Sequence, residues 1–80
     1  MSLQKNIKIR KRNHYFIKNL SWKYISEYQK LSEEFIKEFK DYVDWREISI
    51  HQSLSKGFIR EFKNEVDWYI LTMRHIYINY

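Results

Sequence analysis

The chain has no cysteine and a single glycine, Gly57. Without cysteine it can build neither a disulfide nor a thiolate metal site, which fits a reducing compartment. With one glycine it has no phosphate-cradling loop of the P-loop or Rossmann type. No apolar run reaches the ~18 residues that a membrane-spanning helix needs, so no membrane partner is expected. The opening stretch "MSLQKNIKIRKRNHYF" is basic but lacks an apolar segment and a small-residue cleavage site. It therefore does not read as a secretory signal, and the expected place of action is the cytoplasm.

What the chain does have is aromatic side chains and an uneven distribution of charge. Its 80 residues make one small domain with room for a limited core. Aromatic residues make up 19%, and large rings let a short chain bury area. The formal net charge is +5. Residues 1–24 carry seven Lys or Arg and no acid, whereas residues 25–80 carry eight basic and ten acidic residues. The excess positive charge is thus an N-terminal arm, residues 1–12, containing Lys5, Lys8, Arg10, Lys11 and Arg12. Such an arm points to a polyanion or an acidic protein surface as partner, or it is simply a solvated tail.

Val-Asp-Trp occurs twice, at Val43-Asp44-Trp45 and at Val66-Asp67-Trp68. Laying Trp22–Asp44 over Trp45–Asp67 gives 13 identities in 23 positions with no insertion, far above chance. A third copy starts at Trp68, with Leu71 and Thr72 in register, and then stops matching. Upstream, Phe16 and Leu20 fall on the Phe39 and Val43 columns, a degenerate half copy over residues 13–21. A fixed period of this size marks a stacked-repeat architecture, in which a unit that cannot bury its own apolar face is buried by its neighbours. The expected organisation is an arm, a half repeat, repeats at 22–44 and 45–67, and a C-terminal cap at 68–80.

Each unit reads as two short helices, so the expected fold is an all-α mini-solenoid or bundle of 23-residue repeats. Ser32 and Ser55 stand where N-caps belong. After Ser32, the residues Phe35, Ile36, Phe39 and Val43 make one helical stripe and not the alternation of a strand. Asp44 and Asp67 cap the following helix, and Asp44-Trp45-Arg46-Glu47 has the capping-box pattern. The expected core is Trp22, Ile25, Phe35, Phe39 and Val43, their copies Trp45, Ile48, Phe58, Phe62 and Val66, and Trp68, with each Trp wedged between successive helix pairs. Ile7 and Ile9 alternate, as do Ile76 and Ile78, which leaves open a small strand pairing of the two termini.

The motif W-x-x-I-S-x-x-Q-x-L-S-x-x-F-I-x-E-F-K-x-x-V-D, as it stands here, resembles tandem repeats of about this length in proteins of bacteriophages and large DNA viruses. The resemblance covers residues 22–72. It implies a virus-encoded helical-repeat protein acting in the host cytoplasm, with no catalytic site to carry over. By analogy it makes a host-directed role plausible, such as inhibition of a defence system.

Enzyme readings fare poorly, and none is expected. His14, His51 and His75 have no metal-like spacing among themselves, so no metal or cofactor is expected. Ser26, Ser49, Ser32 and Ser55 read as capping and turn residues, not nucleophiles. Glu33, Lys37 and Asp41 are spaced as a self-paired exposed helix face. Repeated positions are scaffold, so specificity falls to positions that differ between copies. There the second copy has Lys56, Arg60 and Asn64, leaving Lys56, Arg60 and neighbouring Lys63 as uncompensated positive charge. In the repeat frame His14, Lys37 and Arg60 share one column, and Tyr28, His51 and Arg74 another. Two rings and a guanidinium can stack on bases or hold phosphate, or the rings can cover the seam between repeats. Non-repeated tyrosines such as Tyr69 suit a protein-binding surface. The expected function is non-enzymatic binding to a host protein or ribonucleoprotein through Lys56, Arg60, Lys63, Arg74 and the arm, with Tyr28, His51 and Tyr69 as aromatic contacts. Direct RNA or DNA binding, and self-association through open repeat ends, are the alternatives.

Overall fold

The computed structural model describes residues 17–74. Five short helices lie wholly within them: α1 Trp22–Tyr28, α2 Glu33–Glu38, α3 Trp45–His51, α4 Lys56–Glu61 and α5 Trp68–Met73. No strand is present among the described residues, and the fold is all-α. The termini, with Ile7, Ile9, Ile76 and Ile78 and the proposed strand pairing, lie outside the described residues. The bounds of α1 and α2 recur 23 residues later as those of α3 and α4.

The caps explain why the helices start where they do. Ser32 Oγ accepts the Phe35 N–H at 3.1 Å, and Ser55 Oγ accepts the Phe58 N–H at 3.2 Å. Asp44 Oδ1 accepts from Glu47 N–H and Asp67 Oδ1 from Ile70 N–H, both at 3.1 Å. Each bond satisfies an amide that the first helical turn leaves free. Ser21 holds the Asp position of α1 and makes no such side-chain bond.

The reciprocal half of the expected capping box is replaced. The Asp44 N–H goes to Ser26 Oγ at 3.0 Å, and the Asp67 N–H goes to Ser49 Oγ at 2.9 Å. Ser49 Oγ also donates to the Trp45 carbonyl at 2.7 Å. Ser26 and Ser49 are therefore not turn residues. They sit inside α1 and α3, fully buried, and bind the N-cap residues of α3 and α5. The Ser and Asp columns are 18 residues apart in both places, so the bond itself helps fix the period.

The first helices of the units stack, α1 on α3 and α3 on α5. The second helices contribute rings. Trp22 packs on Phe35 and Phe39 with centroids 6.3 and 5.5 Å away, and Trp45 packs on Phe58 and Phe62 at 6.2 and 5.3 Å. The Trp22 and Trp45 indoles thus pack on rings of their own units, and the indole N–H groups reach back: Trp22 donates to the Ile17 carbonyl at 2.8 Å, Trp45 to Lys40 at 3.0 Å and Trp68 to Lys63 at 2.7 Å. Ile17 lies 23 residues before Lys40, so the same bond occurs at three successive joints.

Of the expected core, Trp22, Ile25, Phe35, Phe39, Val43, Ile48, Phe58, Phe62 and Val66 are buried, whereas Trp45 and Trp68 are partly buried. Ile36 and Ile59 are fully buried as well, and Ile17, Leu31 and Leu71 complete the same cluster. Burying each such side chain contributes on the order of 1.5–3 kcal/mol. The core is a strip running along an elongated body with extents of 38 × 22 × 18 Å.

Candidate functional site

Tyr28 and His51, one repeat apart, line the same groove. It is a cavity of about 310 Å³ between the C-terminal ends of α1 and α3, bounded also by Glu27, Gln29, Lys30, Leu31, Gln52 and Ser53. Its floor is the buried Gln52 amide. Gln52 Oε1 accepts the Leu31 N–H at 3.0 Å, and Nε2 donates to the carbonyls of Ser26 at 2.9 Å and Gln29 at 2.7 Å. This side chain closes the end of α1 from the neighbouring unit and has no donor left for a ligand.

Arg74 performs the same task one unit on. Its Nη1 donates to the carbonyls of Ser49 at 2.6 Å and Gln52 at 3.0 Å, each 23 residues after the carbonyls that Gln52 holds. The frame puts His75, not Arg74, in the Gln column, so the longer side chain covers a one-residue offset. Arg74 is thus in part a structural cap, with its Nη1 donors committed to two backbone carbonyls.

Beside the groove, three unrepeated residues converge with a lysine. His51 Nε2 lies 3.4 Å from Glu47 Oε2, Lys23 Nζ lies 3.3 Å from Glu27 Oε1, and the same ammonium lies 3.8 Å from Glu47 Oε1. One ligand atom from each of Glu27, Glu47 and His51 falls within 4.8 Å of the others. The hydrogen bond to Glu27, and then the charges of Glu27 and Glu47, raise the Lys23 ammonium above its ordinary 10.5. Hydrogen bonding to Glu27 and its charge also raise the Tyr28 phenol. Sequence reading missed Glu27, Glu47 and Lys23. The spacing of Glu47 and His51, one helical turn apart, was the available signal. Nothing in the linear sequence indicated that Glu27 would meet them.

The outward charges differ from the expected self-pairing. Glu33 does not pair with Lys37; its two oxygens accept the Ser55 N–H at 2.6 Å and the Ser55 hydroxyl at 3.0 Å. Lys37 pairs instead with Glu61 of the next unit at 3.1 Å, and Arg46 lies 3.7 Å from Asp67. Lys56, Arg60 and Lys63 are exposed and make no ion pair with a described residue. Tyr69 is 74% exposed on α5, and Tyr24 and Tyr28 form an exposed ring pair with centroids 4.9 Å apart. Lys5, Lys8, Arg10, Lys11, Arg12 and His14 lie outside the described residues. No helix among the described residues is long and apolar enough to cross a membrane. Comparison of the chain with protein-family models, with curated proteins and with solved structures gives no match.

Proposed function

We propose that the chain is a non-enzymatic, virus- or phage-encoded binding protein that docks on an acidic surface of a host macromolecule. The carrying observation is the contrast in charge use. Lys23, Lys37 and Arg46 are paired within the fold, whereas Lys56, Arg60 and Lys63 face solvent without an acidic partner among the described residues. Exposed cations on a short, capped scaffold suit an anionic surface. The exposed Tyr69, Tyr24 and Tyr28 supply ring area for such a contact. The non-enzymatic part of the reading is supported by the engaged state of Ser26, Ser32, Ser49 and Ser55, each of which accepts a backbone amide. The viral part rests on the repeat motif and its resemblance. An inhibitor of a nucleic-acid-handling or defence complex in the host cytoplasm is the form favoured here.

The test is capture from host lysate with the tagged chain, with and without nuclease, beside the triple variant Lys56→Glu, Arg60→Glu, Lys63→Glu. A stoichiometric protein that survives nuclease and is lost with the triple variant supports the proposal. Capture that disappears with nuclease moves the reading to direct nucleic-acid binding, whose affinity would fall linearly with salt on a log–log plot. Capture indifferent to the charge reversal contradicts it.

A further inference from the structure

We propose that Glu27, Glu47 and His51 form a binding site for one divalent transition-metal ion, with Zn²⁺ as its best-suited occupant, at the seam between α1 and α3. The ligand set is two carboxylates and an imidazole, a borderline combination that suits zinc and its neighbours. Magnesium and calcium prefer oxygen donors alone. The Glu47 Oε2 to His51 Nε2 distance of 3.4 Å already matches an edge of a tetrahedral zinc site, for which bonds of about 2.0–2.2 Å place ligands roughly 3.3–3.6 Å apart. With all three ligand atoms within 4.8 Å of one another, bringing the Glu27 oxygen onto the two edges it shares takes a shift of about one ångström, small for a glutamate rotamer. Glu27 and His51 also border the groove, so water can complete the coordination from the open side.

The repeat provides a second, independent argument. The scaffold does not require these residues. The Glu47 column holds Tyr24 and Ile70 in the other units, the Glu27 column holds Ile50 and Met73, and the His51 column holds Tyr28 and Arg74. Glu47 is nevertheless only 8% exposed, and a buried carboxylate is costly without a counter-charge. The counter-charge in this structure is the Lys23 ammonium between Glu27 and Glu47. That lysine is 68% exposed at its side chain, so its long stem can leave for solvent. Lys23 therefore holds the cation seat and competes with the metal for it.

Zn²⁺ titration of the metal-free full chain by calorimetry tests this, with melting temperature as a second readout. One ion per chain is expected, with a raised melting temperature at saturation. Glu47→Gln and His51→Tyr should each weaken binding by at least about tenfold, and Lys23→Met should tighten it. His51→Tyr places in unit two the residue that unit one carries at Tyr28, so it decides the matter if Glu47→Gln fails to fold. Mg²⁺ should not compete, and His14→Gln with His75→Gln should leave the affinity unchanged. Absence of Zn²⁺ binding at millimolar concentration, or full affinity in His51→Tyr, would overturn the site. Unchanged affinity in Lys23→Met would overturn the competition.

Discussion

The two full units share their scaffold and differ in what their remaining side chains do. In residues 22–44 four of the non-repeated polar groups turn toward the next unit: Glu33 binds the Ser55 cap, Lys37 meets Glu61, and Lys23 with Glu27 meets Glu47. In residues 45–67 the positions matching Glu33 and Lys37 carry Lys56 and Arg60, which make no ion pair with a described residue, whereas Arg46, in the Lys23 column, meets Asp67. The cores differ too. Tyr42 stacks on Trp22 at 5.8 Å, and Trp22 is buried. Glu65 takes that column in the second unit and is exposed, and Trp45 is only partly buried. A repeat thus has two kinds of variable position. Those facing another unit act as glue, and those facing solvent are available to a partner.

The largest way to break this comparison is in the rings. Phe39→Ala removes a ring that meets Trp22, Phe35 and Tyr42, and should cost about 3–5 kcal/mol in denaturant unfolding. Phe62→Ala should cost less, because Phe62 meets only Trp45 and Phe58 among the described rings. Equal costs would mean that the Tyr42 stack adds nothing. Next comes the seam. Gln52→Leu leaves the Leu31 amide and the Ser26 and Gln29 carbonyls without their partner, and should cost about 2 kcal/mol or more. Ser49→Ala removes the acceptor of the Asp67 amide and should cost about 1–2 kcal/mol by thermal unfolding.

The smallest pair sharpens the division of labour. Lys37→Met deletes an exposed pair and should cost less than about 1 kcal/mol. Arg60→Met should leave unfolding unchanged within about 0.5 kcal/mol while weakening partner capture. A stability loss at Arg60 equal to that at Lys37 would show that Arg60, like Arg46, is used within the fold.

The fold was legible because the repeat supplied its own alignment. Matched columns at Trp22/Trp45, Ser32/Ser55 and Asp44/Asp67 gave helix starts, period and most of the core from one chain. Ile36 and Ile59 were visible in the same columns and belong to that core. The polar architecture was less legible for a physical reason. Gln52, Ser26 and Ser49 bond to backbone groups 18 to 26 residues away, and which backbone group lies within reach is set by the stacking of units. The Glu33–Lys37 spacing invited a local i,i+4 pair, but the Ser55 cap and Glu61 offered partners across the seam. Arg74 could not be read as a cap because it sits one residue off the Gln column. The Glu27–Glu47–His51 meeting needed α1 beside α3 before it could be seen.

The claim that side chains reaching backbone groups across the seam join the units is tested most directly by amide hydrogen exchange. The N–H groups of Leu31, Asp44 and Asp67 sit between helices, where loop amides ordinarily exchange fast. Because Gln52, Ser26 and Ser49 hold them, they should exchange as slowly as the amides inside α3, and the Leu31 amide alone should lose its protection in Gln52→Leu. Fast exchange at all three in the unmodified chain would contradict the account and leave apolar packing as what joins the repeats.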